Sequence, residues 1–216
     1  MASHRLLSYG DCLLDEDDLK LLQGPHWLND KLIGFAFEYM TNTLSLASNS
    51  DIVLCCAEVV QLIKMCGNSQ ELALILESLD IKAKKHVFLP VNDNASLEHT
   101  GGSHWSLLVY EGNSRSFTHY DSANQMNHST SAHIASRLAP LLGVPADLPV
   151  QEGNSPTQEN GYDCGVYVIE ITKVLLKELM TGKSVSTSNG ISDLSSSQIK
   201  QARKEWSEII LNLASV

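Results

Sequence analysis

Gln158-Glu159-Asn160-Gly161-Tyr162-Asp163-Cys164-Gly165 runs straight into Val166-Tyr167-Val168-Ile169-Glu170-Ile171, and no other stretch constrains the chain as much. The first half is polar and carries Asn160-Gly161, a strong turn signal. The second half is apolar through Met180, with Val166, Ile169, Val174, Leu175 and Leu179 at helical steps. Asp163 stands where an N-cap belongs, so Cys164 falls in the first turn of the helix. Unsatisfied N–H groups and the positive end of the helix dipole favour a thiolate there. Gly165 is expected to keep side-chain bulk away from whatever approaches the sulfur. A lone cysteine is more often a core residue than a catalyst, and a nucleophile also needs a base and an orienting group from elsewhere in the chain.

The composition bounds the rest. At 216 residues, one domain spanning 1–216 is expected. A net charge of −10 argues against nucleic acid and anionic membranes as partners, and leaves room for a basic one. No apolar run reaches the length of a membrane span, and Met1-Ala2-Ser3-His4 does not open a secretory signal. Five cysteines (Cys12, Cys55, Cys56, Cys66, Cys164) with no C-x-x-C pair fit neither a disulfide framework nor a zinc knuckle. A reducing compartment, cytosol or nucleus, follows as the expectation. The sequons at Asn94 and Asn127 then carry no consequence.

In chain order, Leu6–Leu14 reads as one short strand, and Asp15-Glu16-Asp17-Asp18 opens a helix. Gly24–Asn29 is a loop before a helix over Asp30–Thr43, with Trp27 expected to plug the core. A polar break at 45–51 leads into helices near 51–66 and 69–79, where Cys55, Cys56 and Cys66 read as packing. Strands follow at 86–91, 103–110 and 116–122, the last two a hairpin about residues 112–115. A helix near 130–142 and a strand at 148–151 return the chain to the cysteine loop. Residues 183–197 read as a mobile serine-rich connection, and 197–214 as a final helix presenting Trp206, Ile209, Ile210 and Leu213. Strands in the middle with helices at both ends give the α+β class. Thr181-Gly182-Lys183-Ser184 resembles the end of a phosphate-binding loop, but Lys177 stands where that motif needs glycine.

His104 begins a strand after a glycine-rich loop, and Asp121 ends the next strand. In a hairpin centred near residue 113 the two meet at the open end. Asp121 can then fix the orientation of His104, whose second nitrogen is free to take the thiol proton. His119, two residues from Asp121, is the rival for that role. Taken alone, a His–Asp pair of this kind is an ordinary surface ion pair. Gln158 offers a side-chain amide that, with the Cys164 N–H, can bind a developing oxyanion; its alternative is an ordinary loop glutamine. Trp105 is core if the strand is regular. If Gly101-Gly102 distorts the strand start, Trp105 and Trp27 can instead wall a slot that admits only a Gly-Gly segment.

Trp27-Leu28-Asn29-Asp30, Gly102-Ser103-His104-Trp105-Ser106, His119-Tyr120-Asp121-Ser122 and the 158–165 stretch together resemble the sentrin-specific (adenain-like) cysteine proteases. The order His, Asp, Gln, Cys is that family's, and the resemblance covers about residues 6–214. The compact length, with Ile33–Tyr39 and the Val91–Asn94 loop, is most similar to the deneddylating branch. The resemblance implies a papain-like fold with a central mixed sheet flanked by helices, and a thiol isopeptidase that also matures its modifier. It implies Cys164 as nucleophile, His104 as general base and then acid, Asp121 as orienter and Gln158 as oxyanion donor. Trp27 and Trp105 would cover the modifier's diglycine tail, with Asp30 along its groove. The implied partners are the ubiquitin-like modifier of neddylation and its cullin-type conjugates, met by a monomer needing no metal or cofactor. A protease of the same family directed at SUMO or ubiquitin, or a module that binds such modifiers without cutting, stays open.

Overall fold

The computed structural model describes residues 4–46, 51–97, 99, 101–185, 188 and 190–215. The expectations for Met1–Ser3, and parts of those for 45–51, 92–102 and 183–197, lie outside the described residues. The element order is β1(Arg5–Tyr9), β2(Cys12–Asp15), α1(Glu16–Gln23), α2(Asp30–Thr43), β3(Ile52–Leu54), α3(Ala57–Met65) and α4(Ser69–Glu77). Then come β4(His86–Asn92), β5(Trp105–Glu111), β6(Ser116–Tyr120), α5(His128–Leu138), β7(Val150–Glu152), α6(Cys164–Met180) and α7(Ser196–Ala214).

Five strands form one mixed sheet in the order β3-β4-β5-β6-β7. Its inner pairs, β4–β5 and β5–β6, are antiparallel, and its outer pairs, β3–β4 and β6–β7, are parallel. Every residue of β5 is buried, because helices cover both faces of the sheet. Leu107 and Val109 face a core built from α2, α6 and α7. Leu108 and Tyr110 face a second core, shared with α3, α4 and α5. Helix α6 is buried nearly all round at its N-terminal half, from Cys164 to Thr172, which explains its unbroken apolar run.

The α+β class and the flanked mixed sheet are as expected, and several local readings need correction. Leu6–Leu14 is a hairpin rather than one strand, since Gly10 turns the chain at φ +54 and a Cβ there would lie 1.5 Å from Glu38 Oε1. Ile52–Leu54 is a strand parallel to β4, not the start of a helix; so short an apolar run has no period to separate the two. Cys55 is fully buried, and burial pushes its thiol up to about 12. Cys56, by contrast, is exposed at the N-cap of α3 and does not pack. The 183–197 connection is held down at described residues. Ser184 Oγ and the Val185 N–H both donate to Glu111 Oε1, and Val185 and Ile191 are buried in the first core. Trp27 is 53% exposed, so it plugs nothing.

Arg203 of α7 closes the architecture around the cysteine. Its Nε donates to Asp163 Oδ1 at 2.5 Å, and its other nitrogens donate to the carbonyls of Leu21, Gly24, His26 and Tyr162. The guanidinium carbon also lies 5.3 Å from the centre of the Tyr162 ring. Both charges are buried, so removing one strands the other. Arg203→Ala is expected to cost roughly 3–5 kcal/mol in chemical unfolding. A loss below about 1 kcal/mol, typical of an exposed pair, would contradict this role.

Candidate active site

Cys164 is the first residue of α6 and is 1% exposed. Asp163 occupies the N-cap position, but its side chain makes no cap hydrogen bond. Its carboxylate accepts instead from Arg203 Nε and from Asn160 Nδ2. Asn160 Oδ1 in turn accepts from the Tyr162 and Asp163 N–H groups, folding the turn that delivers the cysteine. Gly165 is needed for a different contact than the sequence suggested. A Cβ there would sit 2.9 Å from Leu28 Cβ, so the glycine lets α6 pack on the 24–29 loop rather than clearing the sulfur.

His104 lies just before β5 and is 3% exposed. Its Nε2 donates to Asp121 Oδ1 at 2.6 Å, and its ring lies near enough to the Cys164 side chain for the thiol to bear on its charge state. With Nε2 engaged, Nδ1 is the atom that serves the sulfur. The hairpin register differs from the expected one. Leu107 pairs with Tyr120 and Leu108 with His119, so Asp121 lies beyond the ladder and reaches His104 along the strand rather than straight across. A second layer holds both groups. Asp121 Oδ1 accepts from the Ala123 N–H and Oδ2 from the Asn127 N–H. Asn127 Nδ2 donates to the His104 carbonyl, while Asp93 Oδ1 accepts from the Ser103 and His104 N–H groups. Sequence reasoning missed Asp93 and saw in Asn127 only a sequon. Asn127 is fully buried, and the Asx-type turn after Asp121 was the available signal.

The rival His119 is turned elsewhere. It is fully buried, with Nδ1 on Glu152 and Nε2 on Ser106 Oγ.

A cleft of about 740 Å³ runs past the sulfur, lined by Trp27, Asp30, His104, Trp105 and Cys164 among others. Trp27 Nε1 donates to the Gly161 carbonyl at 2.5 Å, which lays the exposed indole against the cysteine loop. Trp105 is 9% exposed and belongs to the first core, yet it also borders the cleft, so the two sequence readings of it coexist. Gly102, at φ +89, supplies the distortion before the strand; a Cβ there would lie 1.9 Å from Asn92 Oδ1. Trp105 Nε1 donates to the Leu28 carbonyl at 2.9 Å, fixing one wall to the other. Asp30 is exposed at the start of α2. Gln158 does not line the cleft. Its Oε1 accepts from Ser122 Oγ and its Nε2 donates to the Asn160 carbonyl, leaving one amide hydrogen unspent.

Electrostatics favour a charged pair here. Burial lowers the His104 pKa, but the hydrogen bond to Asp121 and the nearby Cys164 side chain outweigh it and raise it from 6.5 to about 9. Burial likewise raises Asp121, yet His104 and two backbone N–H groups hold its carboxyl below the usual 3.8. A buried imidazole, braced by a carboxylate and in contact with a helix-borne thiol, can shuttle a proton for nucleophilic attack on an acyl carbon.

Comparison with known proteins agrees with that chemistry. Residues 26–214 match the Ulp1 protease family, C-terminal catalytic domain. The chain is 41% identical to sentrin-specific protease 8 of Mus musculus, over 97% of this chain and 93% of that protein. It is 32% identical to NEDD8-specific protease 1 of Arabidopsis thaliana, over 82% of this chain and 78% of that protein. Among solved structures, the C-terminal Ulp1 protease domain in complex with Smt3, the yeast orthologue of SUMO, superposes with a TM-score of 0.73. That similarity covers 99% of this chain and 90% of the other at 20% identity, and so speaks for the fold.

The raised His104 pKa makes a stability prediction. A group whose pKa rises on folding stabilises fully below its unfolded value, here 6.5, and loses that contribution as pH climbs through about 9. Wild type is therefore expected to lose melting temperature between these values more steeply than His104→Ala. Parallel melting curves for the two proteins would refute the shift.

Proposed function

The chain belongs to the Ulp1 protease family and is a cysteine protease, and from that premise we propose that it is a deneddylase. In this reading it cleaves the peptide or isopeptide bond after the C-terminal diglycine of the NEDD8-type modifier, freeing mature modifier from its precursor and from conjugated lysines. The observation that carries the chemistry is the His104 ring, bonded through Nε2 to Asp121 and in contact with the Cys164 thiol.

Cys164 Sγ attacks the glycine carbonyl carbon once His104 has taken the thiol proton. The carbonyl oxygen becomes an oxyanion, met by the Cys164 N–H at the start of α6 and by the spare hydrogen of Gln158 Nε2. Collapse expels the amine, which takes the proton from His104 and leaves a thioester on Cys164. Water, deprotonated by the same imidazole, then attacks the thioester, and the carboxylate and thiol are regenerated. Asp121 keeps the imidazole in the orientation that presents Nδ1 to sulfur throughout.

Trp27, Trp105 and Asp30 line the same cleft as Cys164. Indoles on the walls of the cleft suit a tail with no side chains, which supports a diglycine substrate. The same reading takes the chain to act as a single-domain monomer in a reducing compartment, cytosol or nucleus; all five cysteines are free thiols, which supports the latter.

NEDD8, ubiquitin and SUMO precursors assayed side by side test the substrate. NEDD8 is expected to be processed fastest, and Cys164→Ala to abolish turnover while retaining modifier binding. Gln158→Ala should lower the chemical rate by roughly two to three orders of magnitude with little change in affinity. Equal or better turnover of SUMO would overturn the deneddylase assignment, and turnover by Cys164→Ala would overturn the nucleophile.

A further inference from the structure

Away from the cleft, three side chains from separate elements converge on one point. His119 lies on β6, Glu152 lies beside it in the parallel register of β7, and His128 is the first residue of α5. Glu152 Oε1 is shared by His119 Nδ1 at 3.0 Å and His128 Nδ1 at 2.5 Å, and Oε2 lies 3.1 Å from His119 Nδ1. Among the described residues this is the one grouping of three or more His, Cys, Asp or Glu side chains whose donor atoms all lie within 4.8 Å of one another. None of the three has a part in the proposed proteolysis.

We propose that His119, His128 and Glu152 form a binding site for a divalent transition-metal ion of the zinc type. Two imidazole nitrogens and one carboxylate are a donor set such ions take, with a fourth position left for water. The surroundings fit as well. His119 is fully buried, and its remote nitrogen is held by Ser106 Oγ at 2.9 Å, the outer contact that orients a metal-binding imidazole. His128 is 46% exposed at its side chain and Glu152 23%, which leaves the point accessible from solvent.

Loading rearranges protons without changing their number on the imidazoles. In the empty cluster an ionised carboxylate only accepts, so each Nδ1 facing it carries hydrogen, and His119 Nε2 accepts from Ser106. With the ion bound, both Nδ1 lone pairs go to the metal, those protons leave to solvent, and Nε2 of each ring gains one. His119 Nε2–H then donates to Ser106 Oγ, whose own hydrogen must turn away. His119 Nε2 also lies 3.9 Å from Asp121 Oδ2, so the site adjoins the carboxylate that bears on His104.

The test is Co²⁺ titration of full-length protein carrying Cys164→Ala, which removes the thiol of the imidazole–thiol pair in the cleft as a competing ligand. The expected result is one equivalent bound, with d–d absorption, no sulfur-to-metal charge-transfer band, and displacement by Zn²⁺. His128→Ala and Glu152→Gln, separately, should each weaken binding about tenfold or more, while far-ultraviolet circular dichroism confirms that both variants fold. In a Zn²⁺ titration, the ¹⁵N shifts of His119 should report hydrogen moving from Nδ1 to Nε2. Binding unaffected by either substitution, a charge-transfer band, or no binding at millimolar Co²⁺ would overturn the site.

Discussion

The Arg203–Asp163 ion pair is the constraint on which the rest of this structure depends. Burying both charges costs several kcal/mol each, and that cost is met only because every donor of the guanidinium finds an acceptor. Those acceptors belong to two segments far apart in sequence: the end of α1 with the loop after it that carries Trp27, and the turn that delivers Cys164. One side chain on the last helix therefore sets the height of the cysteine relative to one wall of the cleft. The other wall follows from it, since Leu28 packs on Gly165 and its carbonyl accepts from Trp105 Nε1.

The His104 imidazole is positioned independently, from the sheet. Strand β5 is buried on both faces and paired on both edges, which makes it a rigid rail for the residue just before it. Asp93, Asn127 and Asp121 hold His104 by its N–H, its carbonyl and its ring respectively. The sheet and the Arg203 network thus meet at a single contact between His104 and Cys164. Its charge state is tuned locally: burial opposes the imidazolium, and Asp121 and Cys164 reinstate it.

Much of this was legible in the sequence, and the parts that were not share a cause. The helix after Asp163, the helix over Asp30–Thr43 and the pairing of His104 with Asp121 all rest on local signals, namely caps, periodicity and turn position. The hairpin turns over the expected residues 112–115, with Arg115 at φ +52, but the pairing of Glu111 with Ser116 sets the ladder off the assumed centre near residue 113, and the register shifted with it. Trp27, expected in the core, lies exposed because its indole N–H finds the Gly161 carbonyl across 134 residues. Arg203 was invisible because its partners are the Asp163 carboxylate, forty residues away, and four backbone carbonyls; Asp93 was invisible because it serves mainly the N–H groups of Ser103 and His104, and no pattern of side-chain types announces a backbone partner. Asp163 shows the converse, a residue with an N-cap's position whose side chain was claimed by a stronger, remote charge.

The central claim is that Cys164, braced through His104 and Asp121, is the thiol that receives the modifier's C-terminal acyl group. Five free cysteines make the claim sharp, because Cys56 is exposed while Cys164 is 1% exposed and reached through the cleft. The direct measurement is intact-protein and peptide mass spectrometry after incubation with NEDD8 bearing a C-terminal electrophile. The account predicts a single stoichiometric adduct mapped to Cys164, with none on Cys56, and its disappearance when Cys164 is replaced by alanine. An adduct on another cysteine, or none with a folded protein, would contradict it.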